Sequence, residues 1–292
     1  MTRSQSTAIV LASVAILAAP RVALAQAERP ALTGIDHVVF FTSDASAARA
    51  FYVDLLGLTV PAGGAGPALV VRVSGRQHLF IEPGLDADTD ERLDHVAIAT
   101  TDLTAMAAYL RERGVKVERP VADSPCGNEG LRVRDPDGHL IEFVQETAIV
   151  GQSSGAGRAL SARLLHAGVT VRNEAAANAF YHDVFGMTEI WRGGFEPSKT
   201  NWVNVRLPES ADYLEYMLRD APSTRRQLGV DHHVCLVVPD IQAAWEQVRE
   251  RTPADERATL QPPQIGRNGK WQINLYDPDG TRVELMEPFN VR

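Results

Sequence analysis

Short apolar runs, each closed by Gly, Pro, Asp or Asn, recur along the chain at a length suited to strands, in sets interrupted by amphipathic stretches that read as helices. Residues 38–41 and 96–99 are apolar and strand-like, and each run lies just after a histidine. A helical stretch follows each, with Asp44 or Asp102 at its start to accept from free backbone N–H groups and Gly57 or Gly114 at its end. Alternating segments come next: 69–73 and 78–82 after the first helix, then 115–118, 131–134 and 139–145 after the second. The predicted unit is βαβββ.

That unit repeats. His37 with Phe51-Tyr52 and Gly57 reappears as His166 with Phe180-Tyr181 and Gly186, in each case 129 positions on, without a gap. His95 returns as His233 after 138 positions, and Asp135-Pro136-Asp137-Gly138 with Glu142 returns as Asp277-Pro278-Asp279-Gly280 with Glu284 after 142. The plan therefore occurs four times, in two tandem modules over residues 30–147 and 160–290. The segment 148–159, with its run Gly151-Gln152-Ser153-Ser154-Gly155-Ala156-Gly157, reads as a flexible linker.

Of the 292 residues, 29 are Lys or Arg and 37 Asp or Glu, a net charge of −8 with no basic run, which excludes the electrostatic footprint of nucleic-acid binding. Two cysteines exclude a disulfide framework and a Cys-ribbon metal site, so any metal must be held by His and carboxylate. Cys126 falls in a loop and Cys235 in a strand, and both are expected as unpaired thiols. Arg3, an apolar stretch over 8–19, Pro20 and Ala23-Leu24-Ala25 have the layout of a signal peptide over residues 1–25, predicting a mature chain from Gln26, secreted or periplasmic. The apolar stretch is short of the roughly 20 residues that span a bilayer, so no stable membrane anchor is expected.

Strand alternation then selects candidate ligands. On 77–82, His78, Phe80 and Glu82 share a face; on 213–218, Tyr213, Glu215 and Met217 do. Glu82 and Glu215 lie 133 positions apart, between the flanking offsets, and are read as counterparts. Each module then presents His, Glu, His, Glu: His37, Glu82, His95 and Glu142 in the first, His166, Glu215, His233 and Glu284 in the second. Two imidazoles and two carboxylates suit a divalent ion, Fe, Mn, Co, Ni or Zn. Glu142 and Glu284 sit between apolar neighbours, where an unpartnered carboxylate is costly. The Asp-Pro-Asp-Gly runs read as turns, with no catalytic role.

The fourfold plan, the His-led opening strand, the Phe-Tyr…Gly helix end and the Asp-Pro-Asp-Gly hairpin resemble the vicinal oxygen chelate superfamily of glyoxalases, bleomycin-resistance proteins and extradiol dioxygenases. The resemblance implies an α+β fold in which paired βαβββ units form a cup-shaped mixed sheet, with ligands on the first and last strands of each unit, and the same eight positions. It also implies an intrachain pseudo-dimer of the two modules and a small-molecule substrate. Phe41 and Thr170 stand where glyoxalase I carries an arginine for glutathione. Arg132 and Asn274 stand where extradiol dioxygenases carry a tyrosine.

The function these readings imply is an exported, divalent-metal-dependent enzyme acting on a small vicinal-oxygen substrate by Lewis-acid and proton-transfer chemistry, of isomerase, epimerase or lyase type. Glu215 or Glu284 is the expected base. An extradiol-type Fe(II) dioxygenase and a non-catalytic binding or resistance protein are the alternatives. The second module looks richer, adding Asn204, Arg206, Tyr216, His232, Arg267, Asn268, Lys270 and Trp271. In the first, Pro83 and the glycine-rich residues 63–66 suggest a looser site.

Overall fold

The computed structural model describes residues 28–61, 66–86, 90–121, 130–146 and 157–291. Residues 1–25, Cys126 and most of the linker lie outside the described residues. The first module contains β1 (Leu32–Thr42), β2 (Leu69–Arg72), β3 (His78–Pro83), β4 (Leu93–Thr100), β5 (Val117–Val121), β6 (Gly130–Arg134) and β7 (Leu140–Gln145). The second contains β8 (Leu164–Val171), β9 (Thr188–Gly193), β10 (Trp202–Arg206), β11 (Tyr213–Leu218), β12 (Val234–Val237), β13 (Gln264–Ile265), β14 (Lys270–Tyr276) and β15 (Arg282–Asn290).

Each module forms one mixed sheet, ordered β2-β3-β1-β4-β7-β6-β5 and β13-β14-β15-β12-β8-β11-β10-β9. The second module holds two βαβββ units, while the first unit of the first module shows three strands among the described residues, with an isolated bridge from Thr59 to Arg72 beside β2. The units of a module meet along the antiparallel pairs β1–β4 and β8–β12, and each of those strands has a parallel partner on its outer side, β3 and β7 or β11 and β15. The four first strands therefore lie at the centres of the two curled sheets, where their side chains are buried on both faces.

The helices begin as their caps require. Asp44 accepts from the backbone N–H groups of Ser46 and Ala47, Asp102 from Ala105, Asn173 from Ala176, and Asp240 from Gln242 and Ala243. After Ala45–Arg49 the helix widens into a π-type turn over Ala50–Leu55, closed by Leu56 N–H on the Phe51 carbonyl. Gly57 then takes φ +73°, and a side chain there would collide with the Arg158 carbonyl at the end of the linker.

The apolar faces of the helices and the convex sides of both sheets merge into one core that includes Leu32, Tyr52, Leu110, Phe143, Tyr181, Phe185 and Val234. The Phe143 and Phe185 rings meet across the module boundary at 5.1 Å. Gln77 bridges the same boundary, accepting from Leu164 N–H at 2.9 Å and donating to the Leu164 carbonyl at 2.8 Å. The pattern is that of a self-complementary pair folded within one chain.

Candidate metal centres

Register explains why the histidines converge. In the second module one row of paired residues crosses the concave face as Tyr213, His166, Cys235, Glu284 and Asn274, and the next as Asn204, Glu215, Gly168, His233 and Arg282. Gly168 leaves room where His233 turns inward: a side chain there would run into His233 Nδ1 and Cε1. His166 Nε2 and His233 Nε2 then lie 3.1 Å apart, with a Glu284 oxygen 3.4 Å from His166 Nε2. Tyr213 stacks on His166 at 4.5 Å and 28°.

The corresponding rows of the first module read Arg72, His78, His37, Ala97, Glu142, Arg132 and Val70, Phe80, Val39, His95, Leu140, Arg134. His37 Nε2 and His95 Nε2 are 3.2 Å apart, and a Glu142 oxygen is 2.9 Å from His95 Nε2. His37, His95 and Glu142, like His166, His233 and Glu284, are buried trios whose donor atoms all lie within 4.8 Å of one another. Two imidazole nitrogens cannot satisfy each other and a carboxylate without a cation or proton between them, so each trio has the donor set of a divalent-metal site.

Glu82 does not join its trio. His37 pairs with His78, and Glu82 pairs with Phe41, four residues further along and roughly 13 Å away at strand rise. The counterpart of Glu215 is Phe80, since Val39 pairs with Phe80 as Gly168 pairs with Glu215. Reading Glu82 against Glu215 was therefore two residues out of register. That slip preserves the strand face, so alternation gives no warning.

Glu215 stands beside its trio, 3.2 Å from His233 Nε2. Of the further residues expected at this site, Asn204 lies on its face with a buried Oδ1 that has no hydrogen-bond partner among the described residues; the same holds for Asn274. Tyr216 turns the other way, into the core 5.6 Å from Tyr181. His232 faces the first module, Arg267 donates to the Phe195 carbonyl, Lys270 to the Pro288 carbonyl and Asn268 to Met286 Sδ, while Trp271 packs against the core and Arg206 is exposed. Buried Cys235 lies between His166 and Glu284, where burial pushes its thiol well above its ordinary pKa.

The two centres are held differently. In the first, β-bulges make Asp36 and Asp94 the extra residues, and their carboxylates sit behind His37 Nδ1 at 2.7 Å and His95 Nδ1 at 2.5 Å. Such partners hold the Nδ1 proton and turn the Nε2 lone pair inward. In the second, the bulge residue is Leu165, His166 Nδ1 has no hydrogen-bond partner among the described residues, and His233 Nδ1 donates to the Asp231 carbonyl at 2.8 Å.

The charges differ too. Burial would raise Glu142, but its bond to His95 and the nearby Arg132, 3.0 Å away, bring its carboxyl down to about 2. In the second module Arg282 replaces Leu140, and its Nη2 lies across the His233 ring, 2.9 and 2.8 Å from the two nitrogens and 3.7 Å from Glu215. Burial would raise Glu215, yet His233, His166 and Arg282 hold it near about 2. His233 itself is lowered, by burial first and then by Arg282.

The sequence matches the glyoxalase/bleomycin resistance protein/dioxygenase superfamily over residues 34–143 and 163–285. The virulence protein STM3117 of Salmonella typhimurium is 30% identical over 119 residues, covering 38% of this chain and 83% of that protein. Homoprotocatechuate 2,3-dioxygenase from Brevibacterium fuscum, in complex with 3,4-dihydroxyphenylacetate, superposes with a TM-score of 0.69 at 20% identity, covering 89% of this chain and 82% of that one. The 2,3-dioxygenase LapB from Pseudomonas sp. KL28 gives 0.67 at 17%, over 88% and 93%. These structural likenesses establish a shared fold.

Proposed function

The chain belongs to the glyoxalase/bleomycin resistance protein/dioxygenase superfamily, and from that premise we propose that its second module is a metal-dependent active site for a small substrate presenting two adjacent oxygens. The ligands are His166, His233 and Glu284, and the reaction is a proton transfer of the isomerase, epimerase or lyase type. The observation that carries this reading is the placement of Glu215 and Arg282 beside a complete donor trio. Their counterparts in the first module are Phe80 and Leu140.

His166, His233 and Glu284 would hold a divalent ion, which when bound would supply Lewis acidity toward a C–H beside a carbonyl. Glu215 keeps 13% side-chain exposure where Glu142 has none, which leaves its carboxylate open to a substrate in the cup. Arg282 steadies Glu215 and offers positive charge to a developing oxyanion. The unpartnered amide oxygens of Asn204 and Asn274 suit substrate hydroxyl donors.

The test is solvent deuterium exchange into a panel of 2-hydroxy carbonyl compounds by metal-loaded full-length protein. Glu215→Gln should keep its metal and lose exchange by roughly 10²–10⁴-fold, the usual contribution of a general base. Exchange unaffected by Glu215→Gln would remove Glu215 from the role.

A second reading, extradiol ring cleavage, is favoured by the two-histidine, one-carboxylate composition of the trio, the set used by oxygen-activating ferrous sites. Oxygen uptake matched to catechol loss by the Fe²⁺-loaded protein would select it. Export of the working protein is part of the proposal, supported by the leader-type pattern of residues 1–25.

A further inference from the structure

A third pair of histidines, outside both cups, has the same mutual geometry as the pairs inside them. His139 of the first module and His232 of the second place their Nε2 atoms 3.2 Å apart, with ring centroids at 5.1 Å and planes at 87°. The corresponding values are 5.2 Å and 79° for His37 and His95, and 5.1 Å and 87° for His166 and His233. Duplication does not account for the third pair. The counterpart of His139 is Thr281 and that of His232 is Asp94, so the pair occurs once, where the two modules meet.

Proton bookkeeping narrows what can lie between them. His139 Nδ1 faces Asp135 Oδ2 at 2.9 Å, and His232 Nδ1 faces Glu91 Oε1 at 2.7 Å. Asp135 accepts the His139 Nδ1 proton, and the negative charge of Glu91 beside His232 Nδ1, a close contact outside hydrogen-bond geometry, favours a proton on that nitrogen too, so two Nε2 lone pairs point at one another. Thr170 Oγ1 lies 3.0 Å from one and 3.4 Å from the other, but its single proton can serve only one. At 3.2 Å the two nitrogens leave no room for a water between them. An electropositive centre is required.

We propose that His139 and His232 bind a divalent cation of the borderline class served by imidazole, such as Zn²⁺, with Thr170 as a neutral oxygen donor, and that it staples the first module to the second. His139, Thr170 and Glu91 also line a cleft of about 510 Å³. Its volume admits the water molecules, or the oxygen donors of a small ligand, that complete the coordination. The site is independent of the proposed chemistry in the second cup, because it shares no ligand with it.

The experiment supplies metal-stripped full-length protein with three equivalents of Zn²⁺, locates the ion by anomalous diffraction at the zinc edge, and counts it by elemental analysis after dialysis. A peak about 2.0–2.1 Å from both Nε2 atoms is expected. His139→Gln should bind one equivalent less than wild type while both cups keep their ions. Peaks in the cups with none between His139 and His232, or equal stoichiometry in wild type and His139→Gln, would overturn the site and leave a shared proton as the resolution. A peak there with empty cups would support it while counting against the metal reading of the second cup. Since diffraction uses the wild-type chain, a misfolded variant cannot mask the result.

Discussion

The Tyr52 hydroxyl donates a hydrogen bond to the Asp277 carboxylate at 3.0 Å, from the first module to the second, and Tyr181 returns the same bond to Asp135 at 2.9 Å. The Phe-Tyr helix end and the Asp-Pro-Asp-Gly turn, two motifs far apart in the chain, are thus partners across the module boundary. Turn chemistry alone does not describe the aspartates.

Removing either bond should cost about 1–3 kcal/mol, because each leaves a buried carboxylate short of a donor. The pH dependence separates the two. Burial pushes Asp277 up to about 6 against the opposing pull of Thr281 N–H and Tyr52. With an ordinary value of 3.8, it holds a proton in the folded state that the unfolded chain has released, so its contribution is full below about pH 4 and lost as pH rises through 6. Tyr52→Phe removes a bond that favours the charged form, so its penalty should be larger at pH 7 than at pH 5. Burial would also raise Asp135, but His139 outweighs it and holds the group low. Tyr181→Phe should therefore cost the same at both pH values. Urea unfolding of the two variants checks the contrast.

Gly168→Ala is expected to empty the second cup. The added methyl meets the His233 ring, and overpacking of this kind costs about 1–3 kcal/mol. Elemental analysis should show the loss of one equivalent of metal, with the first cup unaffected; full retention would mean that His233 can swing in without the gap.

In the first cup, Glu142→Gln should abolish metal binding and Glu82→Gln should leave it unchanged. Parallel calorimetric titrations decide, and loss of binding in Glu82→Gln would restore the register that the pairing of His37 with His78 displaced.

Acid should strip the cups in order. Burial lowers His95, but its bonds to Asp94 and Glu142 outweigh that and leave it raised, whereas His233 is lowered. Protons compete with metal for the same nitrogens, so the first cup should release its ion at higher pH than the second. Glu284→Gln and Glu142→Gln, each leaving one cup intact, allow the two midpoints to be read separately. The reverse order would show that burial and Arg282 do not hold His233 below its ordinary value.

Exported protein should begin at Gln26, with residues 1–25 absent from its intact mass. Retention of Arg3 through Ala25 would indicate an anchor instead.

The repeat exposed six of the eight candidate ligands because its ungapped stretches tie His37 to His166, His95 to His233 and Glu142 to Glu284. The last strand of each first unit, β3 or β11, lies between connections of unequal length, so the position of Glu215 in the first module is reached only by interpolation, which falls on Glu82 instead of Phe80. Asp36 and Asp94 were legible as residues but not as partners, since a strand without a bulge turns neighbours to opposite faces. His78 was legible on the face of β3 but not as the neighbour of His37, and Arg282 not at all, because only cross-strand pairing puts them next to His37 and His233. His139 pairs with a residue 93 positions away in the other module, which no local pattern conveys.

Covalent joining of the modules also alters what substitution can do. In an assembly of two identical chains, a change at the Phe80 position would appear in both cups, and a glutamate and arginine recruited for one would burden the other with buried charge. Here Phe80 and Glu215, or Leu140 and Arg282, are separate genetic positions. Each cup can be tuned while the other keeps the scaffold intact, and dilution does not separate them because the tether holds their effective concentration constant.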